Sequence, residues 1–476
     1  MTTSTVNEIN ELPPVDDKPK RPYLYTNDDG AVVVDREKLI EYMLEKVPTV
    51  TGSFFTKIIA IYNGQHWDKL PETTAKSQLK AEVIQELWGA GERKKARNGF
   101  VNEVVETILG IAHQKQNPFE TADPHKISFK NGTYDIKRDI LDDNKPTDYI
   151  LHGLDYDLDT SGRDTPVSDY VLNLYFGDSA QFIREFLGYG FVDGYSYHQT
   201  IIIQKGAPGT GKSNLLMNRL VRPLFAPIHK NISNIKMEQL TGDGGQSSRF
   251  NQKKLDGKMI NLAPDLTGTI YIQNADQLKA LASGEPIEAE NKGENAVSFV
   301  NGTKLMFTGN DIPRMKLDNA LKSRIKVVPV VASVIRGNEN ASNQRFASAP
   351  VSKLTDERGA LAYNLMRDFW KTAGGTMTIN DAITQATQEW FAENDPLEAF
   401  ISEHLTTTSD GTGISVAYLF DRLTDWLDDN GFKSHLTRIT FTKAMKELGY
   451  ETKNTTAGTD DQGKQAWRFV GYDYEP

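Results

Sequence analysis

The stretch Thr200-Ile201-Ile202-Ile203-Gln204-Lys205-Gly206-Ala207-Pro208-Gly209-Thr210-Gly211-Lys212-Ser213 decides how the rest of the chain is read. A short apolar run suited to a buried strand leads into a glycine-rich turn, and the turn leads into residues 214–220, which read as helix. The turn satisfies G-x-x-x-x-G-K-[ST], and strand before and helix after are the context that this pattern requires. Glycines let successive N–H groups converge on phosphate oxygens, and the following helix presents its positive end. Lys212 would neutralise β/γ charge and the Ser213 hydroxyl would ligate Mg²⁺. The expected cofactors are therefore ATP and Mg²⁺, held by Gly206, Ala207, Pro208, Gly209, Thr210, Gly211, Lys212 and Ser213.

Working outward, residues 195–332 alternate strands and helices, which argues for an α/β fold with a mainly parallel sheet. Met259 to Ala263 form an apolar strand that ends in Pro264 and Asp265. An acid there would hold Mg²⁺ through water and help polarise the attacking water. A further strand, Lys304 to Thr308, is followed by Gly309 and Asn310, whose amide could bond a γ-phosphate or orient water. Arg324 opens the last strand, which runs to Val330. An arginine supplied by a neighbouring subunit stabilises charge on a transferring phosphoryl group; Arg314 is the competing candidate.

The chain has 476 residues, room for about three domains. It contains no cysteine, which excludes disulfides, thiolate metal sites and a cysteine nucleophile. Its 64 acidic and 54 basic residues give a net charge of -10, which argues against a surface that coats nucleic acid wholesale but permits a locally basic channel. No stretch approaches the roughly 20 apolar residues of a membrane span, and the N-terminus lacks the apolar centre of a signal peptide. The expectation is a soluble cytoplasmic protein with no membrane partner.

Residues 1–22, with four prolines, read as a flexible tail, and 23–190 as an α+β domain preceding the central 191–332 unit. Within it Arg93, Lys94, Lys95 and Arg97 form a basic cluster, read as a solvated helix face with nucleic-acid contact as the alternative. Residues 333–394 read as a connecting loop followed by a helical segment, with helices resuming near Leu354. Residues 395–476 read as a small separate unit of two helices and two strands. There Phe441, Met445 and Leu448 share one helix face, while Arg438, Lys443 and Lys446 project elsewhere.

These residues resemble a known family. Segments 187–213, 249–266, 278–293 and 304–329 closely resemble the superfamily 3 helicase module of phage and plasmid primase-helicases, part of the AAA+ ATPases. Segments 62–67 and 131–159 look like the domain ahead of that motor, and 387–401 like the join to a C-terminal winged-helix domain. The resemblance implies an AAA+ P-loop core with Gly206 to Ser213 as Walker A, Asp265 as Walker B, Asn310 as sensor 1 and Arg324 as the arginine finger. It also implies a DNA-gripping pore hairpin within 278–292, with Lys292 as the contact. The implied activity is ATP-driven DNA unwinding by a ring, expected as a hexamer, which translocates 3′ to 5′ on single-stranded DNA and opens forks in replication of a phage, plasmid or integrated element. A separate primase is a possible partner. A nucleotide-switched initiator or loader without processive unwinding is the main alternative, and a small-molecule kinase a weaker one. Two departures stand out: a single acid at Walker B, which leaves the catalytic base open with Glu285 the weaker candidate, and no primase acid motif upstream.

Overall fold

A computed structural model describes residues 21–475, except 56, 196, 243–245, 267, 269–270, 273, 291–296, 316–318, 372–375, 395, 410, 430–435 and 461–463. Residues 1–20 of the expected tail lie outside the described residues. By contacts the chain forms two units, 1–123 with 144–151, and 124–143 with 152–476.

In the first unit, Asp35 accepts from the N–H groups of Glu37 and Lys38 and so starts the helix Arg36–Lys46. An Asn63-Gly64 turn joins the antiparallel strands Ile58–Tyr62 and Trp67–Pro71, as its sequence signals. The helices Glu72–Gly89 and Asn98–Ile111 bury Leu79, Val83, Leu87, Val101 and Val105 against Leu39, Ile40 and Met43. The cluster 93–97 is a turn between these two helices, not a helix face.

The second unit is organised by a five-stranded, wholly parallel sheet. Its spatial order is Ile232–Ser233, Ile260–Leu266, Lys304–Gly309, Ile201–Lys205, Ile325–Pro329. Both faces are covered, so the strands are apolar throughout rather than alternating. The two-residue period sorts them: Ile202, Leu262, Met306 and Val328 enter one core, whereas Ile201, Ile203, Leu305, Phe307 and Val327 enter the other. The first core also takes Leu172, Phe182, Phe186 and Phe369, from the helices Pro166–Phe176, Ala180–Tyr189 and Val351–Lys371. That burial is why the contact boundary lies well before residue 190.

The segment 333–350 is not one long loop. Asn338 accepts from Ala341 N–H and caps the helix Glu339–Ser348, and the helix Val351–Lys371 begins directly after Pro350. Nearer the C-terminus, the helices Val416–Asp429 and Arg438–Glu447 pack on the antiparallel strands Gly413–Ser415, Ala466–Val470 and Thr452–Thr455 through Leu419, Leu423, Phe441, Met445 and Phe469. Phe441 and Met445 are buried as their spacing implies, whereas Leu448 falls just past the helix end and is half-exposed. No described helix is long and apolar enough to cross a membrane.

Candidate functional site

Within the sheet the strand that comes first along the chain, Ile201–Lys205, lies between the fourth and the fifth, so the chain crosses over at its carboxyl end. In an open parallel sheet that crossing leaves a crevice beyond the strand ends, where ligands bind. A cavity of about 670 Å³ occupies this place, lined by residues 207–214, by Thr308, Gly309 and Asn310, and by residues of the 335–346 segment.

Gly209 and Gly211 sit at φ +80° and +81°, a conformation that disfavours any side chain, and a Cβ on Gly209 would lie 2.6 Å from Arg336 Cβ. Lys212 is 8% exposed; its Nζ donates to the carbonyls of Gly206 (3.0 Å) and Gly309 (3.3 Å), stapling the glycine turn to the strand end that precedes Asn310. Ser213, next along, is exposed on the cavity wall at the start of the helix Lys212–Val221. Thr210 Oγ1 is buried with no hydrogen-bond partner among the described residues. The Thr210 carbonyl is held twice, by Tyr175 OH (3.1 Å) and by Arg345 Nη1 (2.7 Å). Burial pushes the Tyr175 phenol up to about 12, so it remains a neutral donor.

The sequence reading missed one wall of this cavity. Ile335 and Arg336 donate their N–H groups to the Gly209 carbonyl (2.9 and 3.0 Å), which straps the 333–338 segment over the glycine turn. Arg345, 8% exposed, fastens the strap: besides Thr210 it reaches the Ser333 carbonyl (2.9 Å) and Ser333 Oγ (2.8 Å). Phe346 lines the cavity with the Arg219 guanidinium 4.7 Å from its ring centre. The available signal was Asn338 followed by helix-forming residues and stopped by Pro350.

The other expected site residues are distributed unevenly. Asn310 follows its strand directly and lines the cavity. The backbone of Asp265 lies in an irregularity near the end of Ile260–Leu266, where the pairing with Lys304–Gly309 shifts register between Ala263 and Leu266. Arg324 ends the helix Asn319–Arg324, with Nη1 on the Ala320 carbonyl (2.7 Å) and Nε buried without a partner among the described residues. It precedes the strand whose far end faces the cavity, so five residues, about 16 Å of strand, separate it from that end. Glu285 is exposed before Pro286–Ala289 and does not line the cavity. Pro286–Ala289 pairs with Val297–Val300 as an antiparallel hairpin, and residues 291–296 between them, Lys292 included, lie outside the described residues. The backbone of Arg314 opens the two-residue strand Arg314–Met315.

Chemically the cavity lining offers the backbone of the glycine turn, the Lys212 ammonium, the Arg336 guanidinium, hydroxyls such as Ser213 and amides such as Asn310, with the Glu339 carboxylate also in the lining; the donors and cations are a set suited to an oxyanion. Among the described residues no group of three His, Asp or Glu is placed to hold a metal ion. A divalent ion bound with a polyphosphate takes most ligands from phosphate oxygens and water, so a single protein hydroxyl such as Ser213 fits it.

Family models match the chain in three successive segments. Residues 40–188 match D5 N terminal like, 204–324 match a family of unknown function, DUF5906, and 392–471 match Poxvirus D5 protein-like. No curated protein matches the chain. Among solved structures, two apo forms of the NrS-1 C-terminal region are 17% and 15% identical, each over 91% of this chain and 98% of that one, with TM-scores of 0.49 and 0.46. JCV helicase, solved with a small molecule bound, is 12% identical over 50% of this chain and 64% of that one, with a TM-score of 0.27.

Proposed function

We propose that the chain is an ATP-dependent DNA helicase of the superfamily 3 type, acting as a ring in replication of a phage, plasmid or integrated element. The observation that carries this reading is the staple at the sheet's carboxyl edge: Lys212, buried among carbonyls, faces a cavity walled by a glycine turn and by Asn310. In this reading the N–H groups of the turn and Lys212 cradle the triphosphate, Ser213 and Asp265 hold Mg²⁺, and Asn310 orients the attacking water. Bound ATP and Mg²⁺ would supply the phosphoryl group and the charge that neutralises its oxygens. Arg324 lies far from the cavity of its own chain, which favours a role on the neighbouring subunit's nucleotide. Such an interface is heterologous and closes into a ring when the rotation permits.

The C-terminal pair of helices with its antiparallel strands is read as a winged-helix domain, and the hairpin that brackets Lys292 as the DNA-gripping element. The test is ATP turnover with and without single-stranded DNA, for native protein and Lys212→Ala, with particle imaging to count subunits. Turnover that DNA stimulates and the variant lacks, in rings, is the expected result. Monomers that hydrolyse ATP indifferently to DNA would overturn the reading.

A further inference from the structure

In the turn between the helices Glu72–Gly89 and Asn98–Ile111 the charge of this acidic chain reverses. Residues 88–100, W-G-A-G-E-R-K-K-A-R-N-G-F, carry four cations against one carboxylate, Glu92, in a chain of net charge -10. Arg93, Lys94, Lys95 and Arg97 are all exposed. Among the described residues no carboxylate lies within ion-pair distance of any of the four, although Lys38 and Lys76 in the same unit are paired. Glu86, two residues before Trp88, is buried and already engaged by Arg21 (3.1 Å), Tyr23 (2.5 Å) and Lys46 (2.6 Å), so it cannot neutralise the turn.

Two aromatic rings are set among these cations. Trp88 is 57% exposed, with the Arg93 guanidinium carbon 5.8 Å from its ring centre, and Lys95 Nζ lies 5.6 Å from the centre of Phe100. Leaving a large indole in water forgoes the stabilisation its burial would bring. Unpaired cations repel one another, so folding alone gives no reason for either feature. One ligand class satisfies both: a strand with a phosphate at every step and unstacked bases.

We propose that Trp88 with Arg93, Lys94, Lys95 and Arg97 forms a binding site for single-stranded nucleic acid, separate from the cavity, in which the cations take backbone phosphates and the indole stacks on a base. A duplex offers phosphates but keeps its base faces stacked on one another, so it would engage the cations and not Trp88. An acidic peptide would likewise leave the indole unused.

The experiment uses the full-length chain without nucleotide, so its outcome does not depend on whether the cavity hydrolyses ATP. Binding of labelled oligothymidylate and of a blunt duplex of equal length is followed by anisotropy across a salt series, with melting curves confirming that each variant is folded. Each phosphate contact to a single strand contributes about 0.7 to the slope of log affinity against log salt. The triple variant Arg93→Ala/Lys94→Ala/Arg97→Ala is therefore expected to lower that slope by about 2. Trp88→Ala should weaken oligothymidylate about tenfold and leave duplex binding unchanged, while Trp88→Phe, which keeps a ring, retains most of the affinity. Native affinity and slope in the triple variant would overturn the site. A silent Trp88→Ala, or equal losses for duplex and single strand, would overturn its assignment to single strands.

Discussion

The two ends of the central sheet each hold a buried lysine, in opposite surroundings. At the carboxyl end Lys212 bonds two carbonyls at the edge of a cavity, beside an exposed Ser213 and a buried Thr210 hydroxyl that has no partner among the described residues. At the amino end Lys304 is wholly buried, and its Nζ donates to the carbonyls of Val192 (2.7 Å), Gly194 (2.6 Å) and Gly302 (2.9 Å). It lies 4.4 Å from the ring centre of Tyr189 and 5.1 Å from that of Tyr195. Around it Tyr195 OH bonds the Thr303 carbonyl (2.5 Å), and Thr303 Oγ1 bonds the carbonyls of Leu255 and Lys258. Hydrogen-bonding capacity is therefore spent internally at one end and left over at the other. A ligand site differs from a structural polar knot in that surplus.

The largest expected effect separates the two lysines. On the proposed reading Lys212→Ala should drop ATP turnover to background, since it removes the cation that would face the phosphates, while shifting the unfolding midpoint little because its carbonyl partners border an open cavity. Lys304→Met should do the reverse. It removes the ammonium from three carbonyls, of which, among the described residues, only that of Gly194 keeps a second donor, Tyr189 OH (3.2 Å), and should cost about 3 kcal/mol of unfolding free energy, measured by denaturant titration, with the folded fraction turning over normally. If Lys304→Met proves neutral, the amino end is not the closed knot described here.

A smaller effect tests the strap. Arg345→Met removes donors from the Thr210 and Ser333 carbonyls and should raise the KM for ATP about tenfold with kcat changed less, because the cavity wall loosens while Lys212 stays in place. An unchanged KM would detach the 333–346 segment from nucleotide binding.

A pH dependence tests the amino end once more. Burial lowers the Lys304 ammonium to about 7, with the Asp193 carboxylate pulling weakly the other way. The unfolded chain, with an ordinary lysine near 10.4, then binds more protons than the folded chain between those values. Lys304 therefore makes the native state gain stability as pH rises from about 7 towards 10, and contribute no pH dependence below 7. The difference in unfolding free energy between native protein and Lys304→Met should grow across that interval. A flat difference would mean that the three carbonyls and two rings keep the ammonium at its ordinary value.

Much of this was legible in the chain because it depends on local pattern. The runs at Ile201, Ile260, Lys304 and Ile325 read as buried parallel strands, and they are. The glycine turn announced its own conformation, since Gly209 and Gly211 are the residue type that accepts positive φ at low cost. The strap was not legible: its residues are polar and small, like those of a surface loop, and only the bonds from Ile335 and Arg336 to Gly209 show where it folds. Lys304 likewise read merely as the first residue of a strand, because the carbonyls that surround it come from residues about a hundred positions earlier as well as from its neighbour Gly302. The basic turn at 93–97 was visible as composition, but its lack of a carboxylate partner among the described residues and its setting beside Trp88 were not.

By itself, then, the sequence determined strand identity, the glycine turn and the order of the elements, since apolar period, glycine placement and capping act over a few residues. The tertiary structure alone decided which face each strand presents to which core, that residues 333–346 close over the turn, and which of two buried lysines, one at each end of the sheet, is enclosed by the fold and which borders the cavity. Those outcomes depend on burial and on hydrogen bonds between residues far apart in the chain, and no local pattern encodes them.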